Sequence, residues 1–416
     1  MKPGVTIIGA GHGGSQAAVS LRQEGYAGAI ALIGAESGYP YHRPPLSKAF
    51  LKQDDDKLQP LRGEAVYEAS GIDYYPARRV HRIDLGTRRC VLDGGEIAFD
   101  ELIIATGAVS RMPAIEGVNL DGIFALRTAS DARRIRQHMK GVESVVIVGG
   151  GFIGLETAAT MAAFGKRVTV LEIGERLLAR AVSPVVATHV LSRLSDCGVD
   201  VRFGTQVRAF FGDAAVRGVF TGEDETIAAD MVIVGIGADP DVALAVEAGL
   251  EVDGGIVVDD MLRSSAQGVY AIGDCARFPH WQLGQPVRLE SVQNATDQAR
   301  HVAGVLMGET DPYVAVPWFW SDIGNMKLQM AGLSANSDRQ FVAGDPAGGA
   351  FAVYHFQHAR LVGVDTINRP GDHMLGRKMI AANYQPEEAD IVAGRVNEAF
   401  KAWSSQAAPD DTRRVA

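Results

Sequence analysis

The sequence predicts an α/β protein in which two Rossmann-like dinucleotide-binding domains are followed by a C-terminal α+β domain. A short apolar strand that enters a glycine-rich turn and a helix occurs twice, at Val5–Gly14 and at Val145–Gly154. The pattern changes near Pro317, beyond which aromatic residues and alternating apolar positions replace the strand–helix repeat. A chain of 416 residues is long enough for two or three such domains.

The first unit has the glycine spacing of a nucleotide-binding turn, at Gly9, Gly11 and Gly14. The first glycine allows a tight turn, the second lets the backbone approach a pyrophosphate, and the third lets helix and strand pack closely. We expect a helix from about Ser15 to Gln23 and a strand from about Ala29 to Ile33. Glu36 follows that strand, where a carboxylate can accept hydrogen bonds from ribose hydroxyls.

The central unit repeats this pattern with glycines at Gly149, Gly151 and Gly154. A helix rich in small residues leads to a second strand that ends at Glu172, in the place of the ribose-binding carboxylate. No basic residue stands at 173 or 174, so the Glu172 charge should repel a 2′-phosphate and favour NADH over NADPH. Arg176 and Arg180 either reach the pyrophosphate or lie in solvent.

A proline-rich loop, Tyr39–Lys48, follows the first unit and carries Arg43 and Lys48. Prolines restrict the backbone, which suits a segment that holds cations against a cofactor. A solvated basic loop is the alternative. Residues 54–70 are polar and predicted to be irregular, and residues 72–91 are predicted to form strands and turns.

The remaining predicted elements complete the two units. They are a buried strand at 101–107, a linker from Pro113, a helix at Ala129–Met139, a helix at about 183–197, strands at 199–203, 216–221 and 230–237, and a buried strand at 269–274. The last ends in Asp274, which either binds ribityl or ribose hydroxyls or caps the next helix. Beyond Pro317 we expect strands at 327–331, 351–356 and 361–366, a helix near 374–382 and a frayed tail, 404–416.

Composition narrows the classes of partner and compartment. The net charge of −10 argues against nucleic acid and anionic membrane as partners. The three cysteines have neither paired nor metal-type spacing, so we expect a reducing, cytoplasmic setting and no metal site. No apolar run approaches the roughly 18 residues of a membrane span.

Together these motifs closely resemble the flavoprotein ferredoxin reductases of bacterial oxygenase systems, the putidaredoxin-reductase-like family. The likeness covers nearly the whole chain and rests on seven segments in order: Gly9–Gly14, Arg43–Lys48, Ala105–Gly107, Gly149–Glu156, Gly273–Cys275, Arg288–Asn294 and Pro317–Asp322. The chain departs from the family pattern at residues 323–325, where a glutamine often begins a more polar run.

The resemblance implies a glutathione-reductase-like architecture. Residues 1–112 and 235–316 would bind FAD, residues 113–234 would bind NADH, and residues 317–416 would form the C-terminal domain. Lys48 and Glu156 would be the catalytic ion pair beside the reactive flavin nitrogen. The implied FAD contacts are Gly9, Gly11, His12, Gly14, Glu36, Arg43, Pro45, Lys48, Ala105, Thr106, Gly107, Arg127, Asp274, Glu290, Ser291, Val292 and Trp320. The implied NADH contacts are Gly149, Gly151, Phe152, Ile153, Gly154, Glu156, Glu172, Arg180, Gly235, Ile236 and Gly237.

The resemblance also implies a 2Fe-2S ferredoxin as electron acceptor, which serves a haem-thiolate monooxygenase or a Rieske-type dioxygenase. Trp320, Arg300 and Lys378 are the candidate docking residues. A rubredoxin reductase and an NADH-dependent flavoprotein oxidase or sensor are the alternatives. A disulfide reductase is disfavoured because residues 41–48 contain no cysteine pair. Both a monomer and a homodimer are compatible with the sequence.

Overall fold

The computed structural model describes residues 4–222 and 225–406. Up to residue 140 its elements are β1 (Val5–Ile8), α1 (His12–Gln23), β2 (Ile30–Ile33), a 3-10 helix (Pro44–Ser47), α2 (Ala49–Lys52), α3 (Glu64–Ala69), β3 (Ile72–Tyr75), β4 (Val80–Asp84), β5 (Arg89–Leu92), β6 (Gly95–Ala98), β7 (Glu101–Ile104), β8 (Ala108–Ser110), β9 (Ile123–Ala125) and α4 (Ala129–His138).

The elements of the middle of the chain are β10 (Ser144–Val148), α5 (Phe152–Ala163), β11 (Arg167–Leu171), α6 (Pro184–Asp196), β12 (Val199–Arg202), β13 (Val207–Gly212), β14 (Val216–Thr221), β15 (Thr226–Ala228), β16 (Met231–Val234), β17 (Ala238–Pro240), α7 (Ala243–Glu247), β18 (Ile256–Val257), β19 (Val269–Ala271), a 3-10 helix (Gly273–Cys275), β20 (Ala276–His280), β21 (Gln285–Val287) and α8 (Val292–Leu306). The C-terminal elements are β22 (Trp318–Ile323), β23 (Met326–Gly332), β24 (Arg339–Asp345), β25 (Ala350–Gln357), β26 (Arg360–Ile367), α9 (Pro370–Ala381), α10 (Glu388–Val392) and α11 (Val396–Gln406).

The chain divides into two compact units. The first comprises the described parts of Met1–His42, Leu58–Val109 and Ala238–Ala315. Its centre is a parallel sheet with the strand order β19-β7-β1-β2-β3. Strands β1, β2 and β7 are buried along almost their whole length, as expected for a parallel sheet covered on both faces. The fully buried side chains at the core of this unit include Ile7, Ile30, Leu32, Leu102 and Ile103.

The second unit comprises the described parts of Arg43–Lys57, Ser110–Gly237 and Val316–Ala416. It contains a second parallel sheet, β12-β11-β10-β16-β9, and an antiparallel sheet, β22-β23-β26-β25-β24. Helices α9, α10 and α11 accompany the antiparallel sheet and give the C-terminal segment its α+β character. The predicted fold class, two dinucleotide-binding folds and a C-terminal α+β part, is confirmed.

Several predicted elements differ in detail from the observed ones. Helix α1 begins at His12 instead of Ser15, because the extended Gly11 serves as its N-cap and two glycines fill its first turn. Helix α3 lies within a segment predicted to be irregular; only one of its side chains, Tyr67, is buried, so its apolar periodicity is weak. Strands β13 and β24 were not predicted. Each buries a single side chain, Phe210 in β13 and Ala343 in β24, so their alternation of apolar and polar residues is weak.

The C-terminal helices also extend the prediction. Helix α9 begins at Pro370, four residues earlier than predicted, with proline in the first turn where its missing N–H costs nothing. Helices α10 and α11 follow it, and Ser404 to Gln406 belong to α11 rather than to a frayed tail. The rest of that predicted tail, residues 407–416, lies outside the described residues. Among the helices described, none has both the length and the apolar character of a membrane span.

Candidate functional site

The glycine turn of the first unit joins β1 to α1. Gly9 has a φ of +103°, and a Cβ atom there would lie 2.2 Å from the carbonyl oxygen of Ala105. A Cβ atom on Gly14 would lie 1.8 Å from the carbonyl oxygen of Gly9. A Cβ atom on Gly11, in contrast, would have no described atom within 4 Å. The turn therefore packs tightly against the sheet on one side and leaves open space at the start of the helix.

The start of α1 suits a phosphate group. Among the described residues no side chain caps it, so its first backbone N–H groups and the positive end of its dipole are available to an anion. His12 is the first residue of the helix and is buried. The open space beside Gly11 and the uncapped helix start fit the pyrophosphate of a dinucleotide.

The other predicted residues of the first unit lie beyond the carboxyl ends of neighbouring strands. Glu36 follows β2, Thr106 follows β7 and Asp274 follows β19. In open parallel sheets, ligands bind at this edge. The Glu36 carboxylate accepts a hydrogen bond from the Tyr41 hydroxyl.

Hydrogen bonds within the first unit hold these loops in place. The Thr106 hydroxyl donates to the carbonyl oxygen of Asp241 over 2.6 Å. Arg288 donates to the main-chain carbonyl of Asp274 over 3.1 Å and to the Glu290 carboxylate over 2.7 Å. Ser291 is the N-cap of α8, and Val292 is the first residue of that helix. The start of α8 thus joins Asp274 through Arg288.

The glycine turn of the second unit joins β10 to α5 in the same way. Gly149 has a φ of +106°, and a Cβ atom there would lie 2.5 Å from the carbonyl oxygen of Gly235. A Cβ atom on Gly154 would lie 2.4 Å from the carbonyl oxygen of Gly149. Gly151 is the N-cap of α5, and among the described residues no side chain caps that helix start. The segment Gly235–Gly237 follows β16, the strand next to β10.

Glu172 is tied to the backbone of this turn. One carboxylate oxygen accepts a hydrogen bond from the Gly150 amide over 2.6 Å, and the other accepts one from the Gly174 amide over 2.7 Å. Arg176 donates to the carbonyl oxygens of Ala179 and Val182, so it stabilises its own turn. Arg180 is exposed in that turn.

The predicted ion pair is present in the second unit. Lys48 Nζ lies 2.6 Å from Glu156 Oε2. The Glu156 residue is only 4% exposed, whereas 21% of the Lys48 side chain is exposed. Two hydroxyl groups that were not predicted join this pair: Ser47 Oγ lies 2.5 Å from Glu156 Oε2, and Ser321 Oγ lies 2.7 Å from Glu156 Oε1.

Neither serine could have been assigned from spacing, since each is more than 100 residues from Glu156 in the sequence. The available signal was indirect. Ser47 precedes Lys48 in one of the seven family segments, and Ser321 follows Trp320 in another.

The loop that carries Lys48 is anchored at both ends by α4 and its N-terminal flank. Arg43 donates to the carbonyl oxygen of Arg127 over 2.8 Å. At the other end the Arg136 guanidinium lies 4.7 Å from the centre of the Phe50 ring and pairs with Asp56 over 2.7 Å. Arg43 and the segment near Lys48 are therefore held in place by these contacts. The alternative prediction, a basic loop that lies free in solvent, is wrong for this segment.

Aromatic side chains surround the start of the C-terminal sheet. The Trp318 and Trp320 rings are 5.4 Å apart, and the Arg377 guanidinium lies 4.8 Å from the Trp318 ring. Lys378 is exposed on α9. In the first unit, Arg300 is exposed on α8 and pairs with Asp297 over 2.9 Å. Of the three predicted docking residues, Trp320 is thus half-buried and the two cations are exposed.

The cysteines offer no redox pair. Cys90, Cys197 and Cys275 are all free thiols. Burial raises the pKa of Cys90 to about 12 and also raises the pKa of Cys275, so neither forms the reactive thiolate at neutral pH.

Comparison with known proteins agrees with this geometry. The family model described as pyridine nucleotide-disulphide oxidoreductase matches residues 3–299, and the model described as reductase C-terminal matches residues 318–397. The chain is 44% identical to rhodocoxin reductase of Rhodococcus erythropolis over 390 residues, 92% of this chain and 91% of that protein. It is 41% identical to a rubredoxin-NAD(+) reductase of Pseudomonas putida over 369 residues, 88% of this chain and 96% of that protein.

Among solved structures, the covalent complex of putidaredoxin reductase and putidaredoxin matches with a TM-score of 0.93 and 35% identity. The match covers 97% of this chain and all of that one. Two dinucleotide-binding folds with open glycine turns are typical of oxidoreductases that bind two dinucleotide cofactors. The chain belongs to the pyridine nucleotide-disulphide oxidoreductase family. The predicted resemblance to ferredoxin reductases is confirmed, and the chain is an oxidoreductase that uses FAD and NADH.

Proposed function

We propose that this protein passes electrons from NADH through FAD to a 2Fe-2S ferredoxin that serves an oxygenase. The observation that carries this proposal is that the loop 41–48 contains the Lys48 of the Lys48–Glu156 pair and no cysteine. Without a redox cysteine pair in this loop, the chain has no disulfide there to receive the electrons. They must pass to an external acceptor. The printed names of several relatives, including a ferredoxin reductase and putidaredoxin reductase, support a ferredoxin in that role.

We assign residues 1–112 and 235–316 to FAD, residues 113–234 to NADH and residues 317–416 to a C-terminal domain. The open start of α1, with Glu36, Thr106 and Asp274 beyond neighbouring strands, supports the first assignment. The open start of α5 and the position of Glu172 support the second. Arg43, Pro45, Arg127 and Trp320, all in the second unit, remain predicted FAD contacts.

Bound FAD would supply the chemistry that links a two-electron donor, NADH, to a carrier that takes up one electron at a time. We assign Lys48 to supply positive charge where the reduced flavin gains negative charge. Glu156 holds that ammonium in place, because its carboxylate oxygen Oε2 lies 2.6 Å from Lys48 Nζ.

The proposed coenzyme preference depends on Glu172. Each of its oxygens accepts one backbone hydrogen bond and keeps a second lone pair for a ribose hydroxyl. We expect Glu172→Gln to lower the ratio of kcat/KM for NADH to that for NADPH by roughly tenfold, which corresponds to about 1.4 kcal/mol of lost repulsion. Steady-state kinetics with both coenzymes measure the ratio.

Glu175→Gln is the matched control, because Glu175 is an exposed carboxylate in the same turn. Its ratio should stay within about twofold of the wild-type value, as expected for a surface substitution. An unchanged ratio in Glu172→Gln would exclude Glu172 as the residue that selects the coenzyme.

The proposed acceptor predicts a salt effect. Ferredoxins of this type are small and acidic, so exposed cations near the docking site should steer their approach. We expect added salt to lower the second-order rate of ferredoxin reduction steeply while the rate of flavin reduction by NADH changes little. Lys378→Gln should lower the ferredoxin rate by about threefold at low salt. Stopped-flow mixing of the NADH-reduced enzyme with ferredoxin measures both.

Lys401→Gln makes the same change of charge at an exposed position on α11 and is the control. Arg300→Gln extends the test to α8, although Asp297 already neutralises part of the Arg300 charge. A rate that is flat with salt in the wild type would remove electrostatic steering from the proposal.

Anaerobic mixing tests the function as a whole. NADH should bleach the purified yellow protein, and a 2Fe-2S ferredoxin should then restore the colour within seconds. The rubredoxin-NAD(+) reductase among the relatives favours a second candidate, a rubredoxin as acceptor. If rubredoxin restores the colour and no ferredoxin does, the second candidate replaces the first. Restoration by oxygen alone would favour an oxidase.

We also propose a cytoplasmic location, which the three free cysteines support.

A further inference from the structure

One face of α5 is anchored along its length within the second unit. Phe152, Glu156 and Thr160 are four residues apart, so their side chains lie on the same face of the helix. The Phe152 ring packs 4.6 Å from the Phe319 ring of β22. At the other end of the face, the Thr160 hydroxyl donates to the carbonyl oxygen of Ser47 over 2.9 Å. Glu156 thus lies between two fixed contacts.

The carboxylate of Glu156 is held by three donors. Oε2 accepts from Lys48 Nζ over 2.6 Å and from Ser47 Oγ over 2.5 Å, and Oε1 accepts from Ser321 Oγ over 2.7 Å. An ionised carboxylate can only accept, so both hydroxyl protons must point at it. The single Ser47 proton has another acceptor, the carbonyl oxygen of Pro44, but at 3.5 Å that contact is a full ångström longer.

The ammonium of Lys48 is fixed as a consequence. Glu156 accepts one of its three protons, and Ser47 Oγ lies within reach of a second at 3.3 Å. If the Glu156 carboxylate rotated, the ammonium would turn with it, and the third ammonium proton would then point in a different direction. The two hydroxyls prevent that rotation because each holds a different carboxylate oxygen. Ser47, in the loop that carries Lys48, donates to Oε2, and Ser321, in the C-terminal sheet, donates to Oε1.

We propose that Ser47 and Ser321 are positioning residues for electron transfer from NADH to the flavin, and that they act through Glu156 on Lys48. This inference rests on the proposed function of the Lys48–Glu156 pair. It also gives the C-terminal sheet a part in the first half-reaction, because Ser321 lies on β22 beside Trp320.

Anaerobic rapid mixing of the holoenzyme with NADH tests the proposal. Ser321→Ala and Ser47→Ala should each lower the limiting rate of flavin reduction by about 5- to 30-fold, because each variant removes one of the three hydrogen bonds that hold the buried Glu156 carboxylate. The dissociation constant of NADH and the flavin content should stay within about twofold of the wild type. NADH deuterated at C4 should show that the slowed step is the transfer itself.

Two further variants separate positioning from simple structural damage. Ser321→Thr keeps the hydroxyl on a strand, where threonine is well tolerated, and should restore most of the rate. Thr157→Val is the matched control, because it removes a buried hydroxyl next to Glu156 that donates to the main-chain carbonyl of Ile153 in its own helix. Its limiting rate should stay within about twofold of the wild type.

A double variant shows whether the serine acts through the carboxylate. If it does, Ser321→Ala should cause no further loss in a Glu156→Ala background. Multiplicative losses would overturn the inference, as would Ser321→Ala and Ser47→Ala variants that reduce as fast as the wild type while Glu156→Ala is slow. Losses confined to flavin content or NADH affinity would overturn it in favour of a structural role. If Glu156→Ala and Lys48→Ala are themselves fast, the proposed function of the pair fails instead.

Discussion

Replacing Glu156 with alanine should lower the limiting rate of flavin reduction by NADH about 100-fold, or about 2.7 kcal/mol in activation free energy. The substitution removes the anionic partner of Lys48 and leaves the Ser47 and Ser321 hydroxyls without their acceptor. Breaking a buried pair by removing one partner is costly, because the remaining charge is left uncompensated. Without that carboxylate the Lys48 ammonium would no longer be held in its present position, and it would stabilise the reduced flavin less.

NADH binding should change much less, by about threefold or less, because the Glu156 carboxylate contacts Lys48 and two hydroxyls instead of the glycine turn. Anaerobic stopped-flow mixing over a range of NADH concentrations separates the limiting rate from the dissociation constant. Glu143→Ala, which removes an exposed carboxylate of the same unit, is the control. An unchanged limiting rate of flavin reduction in Glu156→Ala would contradict the proposed role of the ion pair.

The fold could be predicted largely from local patterns. Buried parallel strands appear in the sequence as short apolar runs. Each glycine turn shows where its strand ends and the following helix begins. Elements with few buried residues escaped prediction: α3 buries only Tyr67, and β24 only Ala343. In both cases the local sequence does not differ enough from that of a polar loop.

The candidate site could be predicted only in part, for a different physical reason. Lys48 and Glu156 were predicted from the resemblance to the ferredoxin reductases. The hydroxyls that hold the carboxylate come from distant segments, and serine is common on surfaces. The backbone contacts of Glu172 were likewise absent from the prediction, because backbone amides have no sequence signature. Long-range hydrogen bonds to a single acceptor require the tertiary structure.

The second large effect should come from the third glycine of each turn, and it separates the two cofactor sites. Gly14→Ala brings a Cβ atom to 1.8 Å from the carbonyl oxygen of Gly9, and Gly154→Ala brings one to 2.4 Å from that of Gly149. Both clashes are with backbone, so the turn and the start of its helix must shift. We expect Gly14→Ala protein to be purified without bound flavin. Gly154→Ala protein should keep its flavin but bind NADH about 100-fold more weakly, or about 2.7 kcal/mol.

The visible absorbance of the purified proteins measures flavin content, and titration with NADH measures affinity. Dithionite should still reduce the flavin of Gly154→Ala. That result would show that the variant is impaired in binding NADH and not in flavin reduction itself. Gly63→Ala and Gly371→Ala are matched controls from the two units, because a Cβ atom at either position meets no described atom within 4 Å. Flavin loss in Gly154→Ala with retention in Gly14→Ala would reverse the assignment of FAD and NADH. Since each clash lies within its own turn and each turn within its own unit, the two defects should be independent, and the double variant should show both.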